Sequence, residues 1–467
     1  MAEAGACGQN GAARVGLVSR RDSRIACLSA IVWLAFVAAV YLPDLGRGFL
    51  RDDFAWIAAG REALLRPSTI VRPTIAGFYR PMVTASFAAD YARHGLDPRA
   101  YAFTNLFLYA ACAVLVFVLL LQLGVNVAAA SVAALAWALN PHGINMALLW
   151  ISGRTSLLLT LFALLATLAF VRGHRIAGIL FLVCALASKE EATLLPVVLV
   201  VWLLCLNRGT RRSVAFDVAA MGLAVAVYLV VRHRTPAFTF STAPWFYRPT
   251  TDMRLLARNV LEYLDRGATA AALITIAAAC IYRRAILLDS PARRLLGCAA
   301  AWFVCGYALT VWIPVRSSLY AVFPSVGAAI ACGVVIDRLR QSASTSRGDV
   351  ALASVLASSL LLIPAYWIRN DAWVEPARVS NRIVNVIAAD AGALPNRGTI
   401  VFEETDRSGA AGFSSAFGGL AGRAVQLLAG DSVDAQIRFA SEGARPPDDA
   451  IAIAWYRIEN GRVSRVR

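Results

Sequence analysis

Apolar residues gather into runs of helical length separated by short polar breaks. The runs cover positions 25–41, 102–123, 127–139, 156–171, 176–187 and 192–206, then 214–231, 268–281, 295–313, 319–336 and 350–368. A helix of about 20 apolar residues crosses a bilayer, and several of these runs fall short of that length. Together they predict an α-helical polytopic membrane protein with roughly eleven transmembrane helices.

Two breaks, at 42–101 and 232–267, are too long to be mere connections. The first holds Phe54, Ala55, Trp56, Ile57, Leu64 and Leu65 with charges between them, the pattern of an interfacial amphipathic helix. After the last run, 399–403 and 450–458 read as strands and 414–428 as a helix, so a small α/β domain is expected there. The organisation is then a basic cytoplasmic N-terminus at 1–24, a transmembrane module at 25–368 and a small periplasmic domain at 369–467.

Composition agrees with a membrane solvent, since 59% of residues are hydrophobic and 16% charged, where soluble domains carry about 25% charged residues. The net charge of +16 does not indicate nucleic acid, because the arginines are scattered between apolar runs without a clustered, aromatic-interleaved face. They are distributed by topology instead. With the N-terminus inside, Arg14, Arg20, Arg21 and Arg24 are cytoplasmic, as are Arg172 and Arg175, Arg208, Arg211 and Arg212. Arg283, Arg284, Arg293, Arg294, Arg338, Arg340 and Arg347 fall on that side too, as short cytoplasmic loops require. Eleven spans put the C-terminus in the periplasm. The first run follows a basic segment but no small-residue cleavage site precedes Leu42-Pro43-Asp44, so it is expected to stay as an anchor. Eight of the nine cysteines, all but Cys7, sit in or beside apolar runs without metal-ligand spacing and read as small core residues. All but one of the 45 basic residues are arginine, the exception being Lys189; with the heavy alanine usage this points to a GC-rich, bacterial coding background and a bacterial inner membrane.

The charged positions outside the membrane carry the candidate chemistry. Asp52 and Asp53 follow the first span, where a carboxylate can deprotonate a hydroxyl; a solvated interfacial acid is the plain alternative. Arg80, in Phe78-Tyr79-Arg80-Pro81, is of the type that clamps phosphate bidentately. The same four residue types recur at Phe246-Tyr247-Arg248-Pro249, a repeat that chance alone can produce. Asn140-Pro141-His142 closes one span and Trp150-Ile151-Ser152-Gly153-Arg154 opens the next, with Arg154 costly so near the membrane unless paired or facing a polar cavity. His142 reads as structural. Ser188-Lys189-Glu190-Glu191 is a turn so tight that its charges stay near the boundary, and a lone lysine among arginines suits a compact phosphate or carboxylate contact, with chance placement as the plain alternative. Arg316 and Tyr320 complete the set. The topology gathers these acids and cations at one face, an arrangement suited to transfer from a membrane-bound phosphate donor.

These residues, in this order, resemble the membrane glycosyltransferases of the C superfamily, in the branch of the protein O-mannosyltransferases and the tetratricopeptide-containing transmembrane O-mannosyltransferases. Arg51-Asp52-Asp53 resembles that family's acidic motif in the first outside loop. Phe78-Tyr79-Arg80-Pro81-Met82, Asp90-Tyr91, Gly95-Leu96-Asp97-Pro98, Tyr101 and Asn105 resemble its tyrosine-arginine-proline segment. Asn140-Pro141 with Trp150 to Arg154 resembles its third loop, and Ser188-Lys189-Glu190 its serine-lysine-glutamate turn. The match runs in order through the first half of the chain, from Arg51 to Glu190, and the second half agrees in hydropathy and in Arg316, Tyr320 and Gly327. The chain departs at Asn140, where the family has histidine, and at Asn145, where it has an acid, and no tetratricopeptide repeat is present.

The resemblance implies transfer of mannose or a similar monosaccharide from a polyprenyl-phosphate donor to a periplasmic protein, glycan or lipid acceptor, with inversion. Asp52 or Asp53 is then the general base. Arg80, Arg154 and Lys189 contact the lipid phosphate with Arg316 beside them, and Glu190 orients the lysine or the sugar. No cofactor is demanded, and a divalent metal is left open. Two alternatives stand beside this reading, a lipid-linked-sugar transporter or flippase and a non-catalytic relative. A lipid-A-type or oligosaccharide-ligating transferase is the nearer variant among enzymes.

Overall fold

The computed structural model describes residues 20–466 except 76, 208, 240, 284–287, 343–345, 396–397, 405–412, 440–451 and 460–461. The N-terminal segment up to position 19, with Arg14, lies outside the described residues, as do Arg208, Arg284 and the first two positions of the strand expected at 450–458.

The helices run in the order α1 (Arg20–Val40), α2 (Asp53–Leu65), α3 (Pro81–His94), α4 (Pro98–Gln122), α5 (Val127–Ala138), α6 (Gly143–Leu149), α7 (Arg154–Val171), α8 (Arg175–Leu186) and α9 (Leu195–Cys205). They continue as α10 (Arg211–His233), α11 (Met253–Tyr282), α12 (Ser290–Tyr307), α13 (Ser325–Ser342), α14 (Ser346–Ser358) and α15 (Ile363–Asp390). Trp137, Trp202 and Trp302 are buried between them, while Phe107, Ile176, Leu223 and Leu361 point outward. An apolar exterior of this extent suits lipid rather than water.

Seven of the described helical segments are long and apolar enough to cross a membrane, or eight if the bent pair α5 and α6 forms one span with a 60° break. The chain is thus a helical multi-pass membrane protein, but the expectation of eleven spans was too high. Helices α8 and α9 have 12 and 11 residues, which at 1.5 Å per residue reach roughly 16–18 Å against a hydrocarbon core of about 30 Å. Helix α12 has 18 residues and carries Arg293 and Arg294 in its opening turns. The break between α5 and α6 comes from Pro141 and from Asn140, whose side-chain oxygen accepts the N–H groups of His142 and Gly143 at 2.9 and 3.1 Å. These bonds occupy N–H groups at the entry to α6 that have no partner within the helix.

The two ends of the bundle differ in kind. At one, Arg340 pairs with Asp22 at 2.8 Å and Asp349 at 3.1 Å, and its guanidinium donates to the Asn126 side chain. This network ties the starts of α1, α5 and α14 to the end of α13. The opposite end carries α2, α3 and the turn at Lys189.

Helix α15 runs unbroken through position 368, so the boundary expected there falls inside a helix. The sheet domain begins with β1 (Gly398–Glu404) and continues through α16 (Phe413–Phe417), α17 (Ala421–Ala429), β2 (Val433–Phe439), β3 (Ala452–Glu459) and β4 (Arg462–Arg465). The strand order is β2-β1-β3-β4, with β1 parallel to both neighbours and β3 antiparallel to β4. The single helix expected at 414–428 is two, because Gly418 and Gly419 take left-handed backbone (φ +52° and +84°) between them, which no helix interior tolerates.

Candidate functional site

The connection from α1 enters α2 through Arg51, a non-glycine residue at φ +50°. That conformation costs roughly 1–2 kcal/mol in isolation, and it is held from outside: the Arg51 N–H donates to the Ala416 carbonyl at 2.9 Å and its Nε to the Ser415 carbonyl at 3.0 Å. The next residue, Asp52, stands at the N-terminus of α2 and lines a cavity of about 430 Å³ with Arg80, Lys189, Tyr247, Arg316 and Tyr320.

Asp53, one position on, is turned away from that cavity and is fully buried. Its Oδ2 accepts the Leu50 N–H at 2.8 Å, and its Oδ1 accepts the Ser152 N–H at 2.7 Å and the Ser152 hydroxyl. Successive helical side chains diverge by about 100°, so the two adjacent acids take separate tasks. Burial pushes the Asp53 carboxyl up to about 7 even against these donors. Burial also raises the Asp52 carboxyl above its ordinary value, with Arg80 and Arg51 pulling it back.

Arg80 and Lys189 each have their own acid, whereas Arg266 and Arg316, also in the cavity wall, share Glu262. Arg80 donates to Glu190 at 2.7 Å through Nη2 and at 3.1 Å through Nε, and its guanidinium lies 4.1 Å over the Phe78 ring. Lys189 Nζ is 2.7 Å from Glu191 and donates to Ser156 Oγ at 2.9 Å, with the Tyr320 ring at 4.8 Å. Burial works on Glu190 towards the neutral form, but the adjacent Arg80 prevails and holds it below the usual range. Burial lowers the Lys189 ammonium, with Glu191 opposing. Glu190 thus serves the arginine, and Glu191, which the sequence reading passed over in the same turn, orients the lysine.

Arg154 does not join them. It is completely buried, 2.6 Å from Asp90 and donating to Asn105 Oδ1 at 2.9 Å and to the Tyr101 carbonyl at 3.0 Å. The expectation that it contacts a donor phosphate gives way to a pinning role, fastening the start of α7 to α3 and α4. Arg316 does line the cavity, 2.6 Å from Glu262.

The repeated aromatic-aromatic-Arg-Pro turns meet through Phe78 and Tyr247, whose rings pack edge to face at 5.5 Å. They are not equivalent, since Arg248 donates to its own loop's Ala243 carbonyl while Arg80 faces the cavity. Tyr247 is a wall residue that this repeat could have signalled.

Beside the polar cavity lies an apolar groove of about 540 Å³, with Leu229, Phe238, Leu309 and Ile313 in its walls. The two spaces share Phe78, Arg80, Tyr247 and Tyr320. Among the described residues, no group of three or more His, Cys, Asp or Glu side chains is arranged to hold a metal ion. The arrangement can receive an anionic head group between Arg80 and Lys189, shelter an apolar tail in the groove, and offer one carboxylate, Asp52, to a hydroxyl. No protein-family model matches the chain, and no curated protein does either.

Proposed function

We propose that the protein is an integral membrane glycosyltransferase that moves a monosaccharide, mannose or similar, from a polyprenyl-phosphate donor to a protein, glycan or lipid hydroxyl with inversion. The observation that carries this reading is the position of Asp52 in one cavity with Arg80 and Lys189, next to an apolar groove. An amphiphile with a phosphate head and a long hydrocarbon tail matches both compartments.

In this mechanism Asp52 takes the proton of the acceptor hydroxyl as its oxygen attacks the anomeric carbon. The bond from that carbon to the phosphate oxygen breaks, and the electron pair leaves with polyprenyl phosphate. Arg80 and Lys189 stabilise the charge gathering on that phosphate, while Glu190 and Glu191 hold the two cations in place. Asp53 supports the turn from behind. The site end faces the periplasm of a bacterial inner membrane, and the end carrying Arg172, Arg175, Arg338 and Arg340 faces the cytoplasm.

The test is sugar release from radiolabelled polyprenyl-phosphate monosaccharides by purified protein in lipid. Wild type should consume one donor, and Asp52→Asn should reduce that by about 100-fold or more with an unchanged melting curve. Equal turnover in wild type and Asp52→Asn would remove the proposed base, and consumption of no donor by folded protein would favour a transport role.

A further inference from the structure

A second cavity, of about 400 Å³, opens beside the first and shares Arg266, Arg316 and Ser318 with it. Its charge is unbalanced, with Arg258, Arg266, Arg316 and Arg369 facing it against only Glu262 and Asp265. Glu262 alone receives three guanidiniums, from Arg258 at 2.8 Å, Arg266 at 2.8 Å and Arg316 at 2.6 Å. Arg369 is bonded at 2.8 Å to the His142 ring nitrogen and has no carboxylate partner among the described residues. Because Arg369 can only donate, His142 Nδ1 accepts, leaving its Nε2 proton towards Asp265 at 3.6 Å.

The location explains why such charge is tolerated. Helix α11 has 30 residues, about 45 Å of helix against a hydrocarbon core of about 30 Å, so about ten residues are in excess and its first turns, with Arg258 and Glu262, can project beyond the membrane. Three guanidiniums converging on one carboxylate leave net positive charge, whose mutual repulsion a further anion would offset.

We propose that this vestibule is a second anion site that takes a phosphate-type dianion carried by the acceptor, separate from the donor phosphate at Arg80 and Lys189. The excess of two cationic groups matches a phosphate monoester, and Arg258 of α11 and Arg369 of α15 both line the cavity. The word acceptor rests on the transferase reading; the anion site itself does not.

The experiment is a titration of the purified full chain in phosphatidylcholine nanodiscs with inorganic phosphate at constant ionic strength, read by thermal unfolding. Wild type should be stabilised saturably. Arg258→Gln and Arg369→Gln should each weaken the apparent Kd roughly tenfold, as losing one charge-assisted hydrogen bond does. Glu262→Gln, which removes the competing carboxylate, should tighten it several-fold, a gain that a damaged fold cannot imitate. Competition by phosphatidate in the nanodiscs would identify a lipid head group as the source, and its failure to compete a soluble phosphate; both sustain the site. An unchanged Kd in all three variants, no saturable shift, or a loss confined to Arg80→Gln overturns the proposal. Phosphate binding is read without donor or turnover, so its failure leaves the transferase reading standing, and failure of sugar release leaves the anion site standing.

Discussion

Asp52 and Asp53 are neighbours in the chain, yet one carboxylate lines a cavity with Arg80 and Lys189 and the other spends both oxygens on Leu50 and Ser152. A general base is useful only when ionised, so the Asp52 environment translates into a pH profile. Burial raises its pKa and Arg80 lowers it, so turnover should climb with pH through a limb above the ordinary aspartate value of about 3.9, then level off. Arg80→Gln removes a cation that favours the charged form, and its limb should move to higher pH besides the loss of donor affinity. Rates measured from pH 4 to 9 check this; a limb that stays in place in Arg80→Gln would mean that Arg80 does not act on the base. The adjacency of the acids was plain in the sequence, but which one turns inward was not, because it depends on the direction of entry into α2.

Helix packing sets that direction. Gly60 of α2 sits against the backbone of α3, where a Cβ would lie 2.8 Å from the Ala88 nitrogen and the Phe87 carbonyl carbon. Neither atom can yield as a flexible side chain would, so Gly60→Ala should cost about 1–3 kcal/mol by overpacking and push α2 away from α3. The expected result is a lower melting midpoint together with slower turnover, since Asp52 and Arg80 stand at the starts of these two helices. An unaltered melting curve would show that the contact is looser than this. The buried Arg154–Asp90 pair belongs to the same scale. Its cost near a membrane was legible from sequence, whereas its partner was not, since Asp90 and Asn105 reach it only when α3, α4 and α7 have packed.

The C-terminal domain bears on the site through α2. Phe417 stacks on Phe54 with ring centroids 5.3 Å apart, Arg61 pairs with Asp431, and the Ala416 carbonyl holds Arg51 in its left-handed turn. Truncating a buried Phe typically costs about 3–5 kcal/mol, so Phe417→Ala should loosen the domain from α2. We expect a lower kcat with donor KM little changed, restored by Phe417→Leu; a wild-type kcat in Phe417→Ala would show that the domain does not position the turn. The apolar runs, the helical membrane class, the short strands near 400 and 455, and the short list of charged turns were all determined by the sequence alone, because hydropathy and residue spacing are local properties. The number of spans was not, since length and charge within each helix, rather than the presence of an apolar run, decide whether it can cross. Tertiary structure also decided that Asp52 faces the cavity, that Glu190 pairs with Arg80 and Glu191 with Lys189, and that Arg154 is a buried pin. Those outcomes depend on which way side chains point and on partners up to 110 positions apart, information that exists only once the helices have packed.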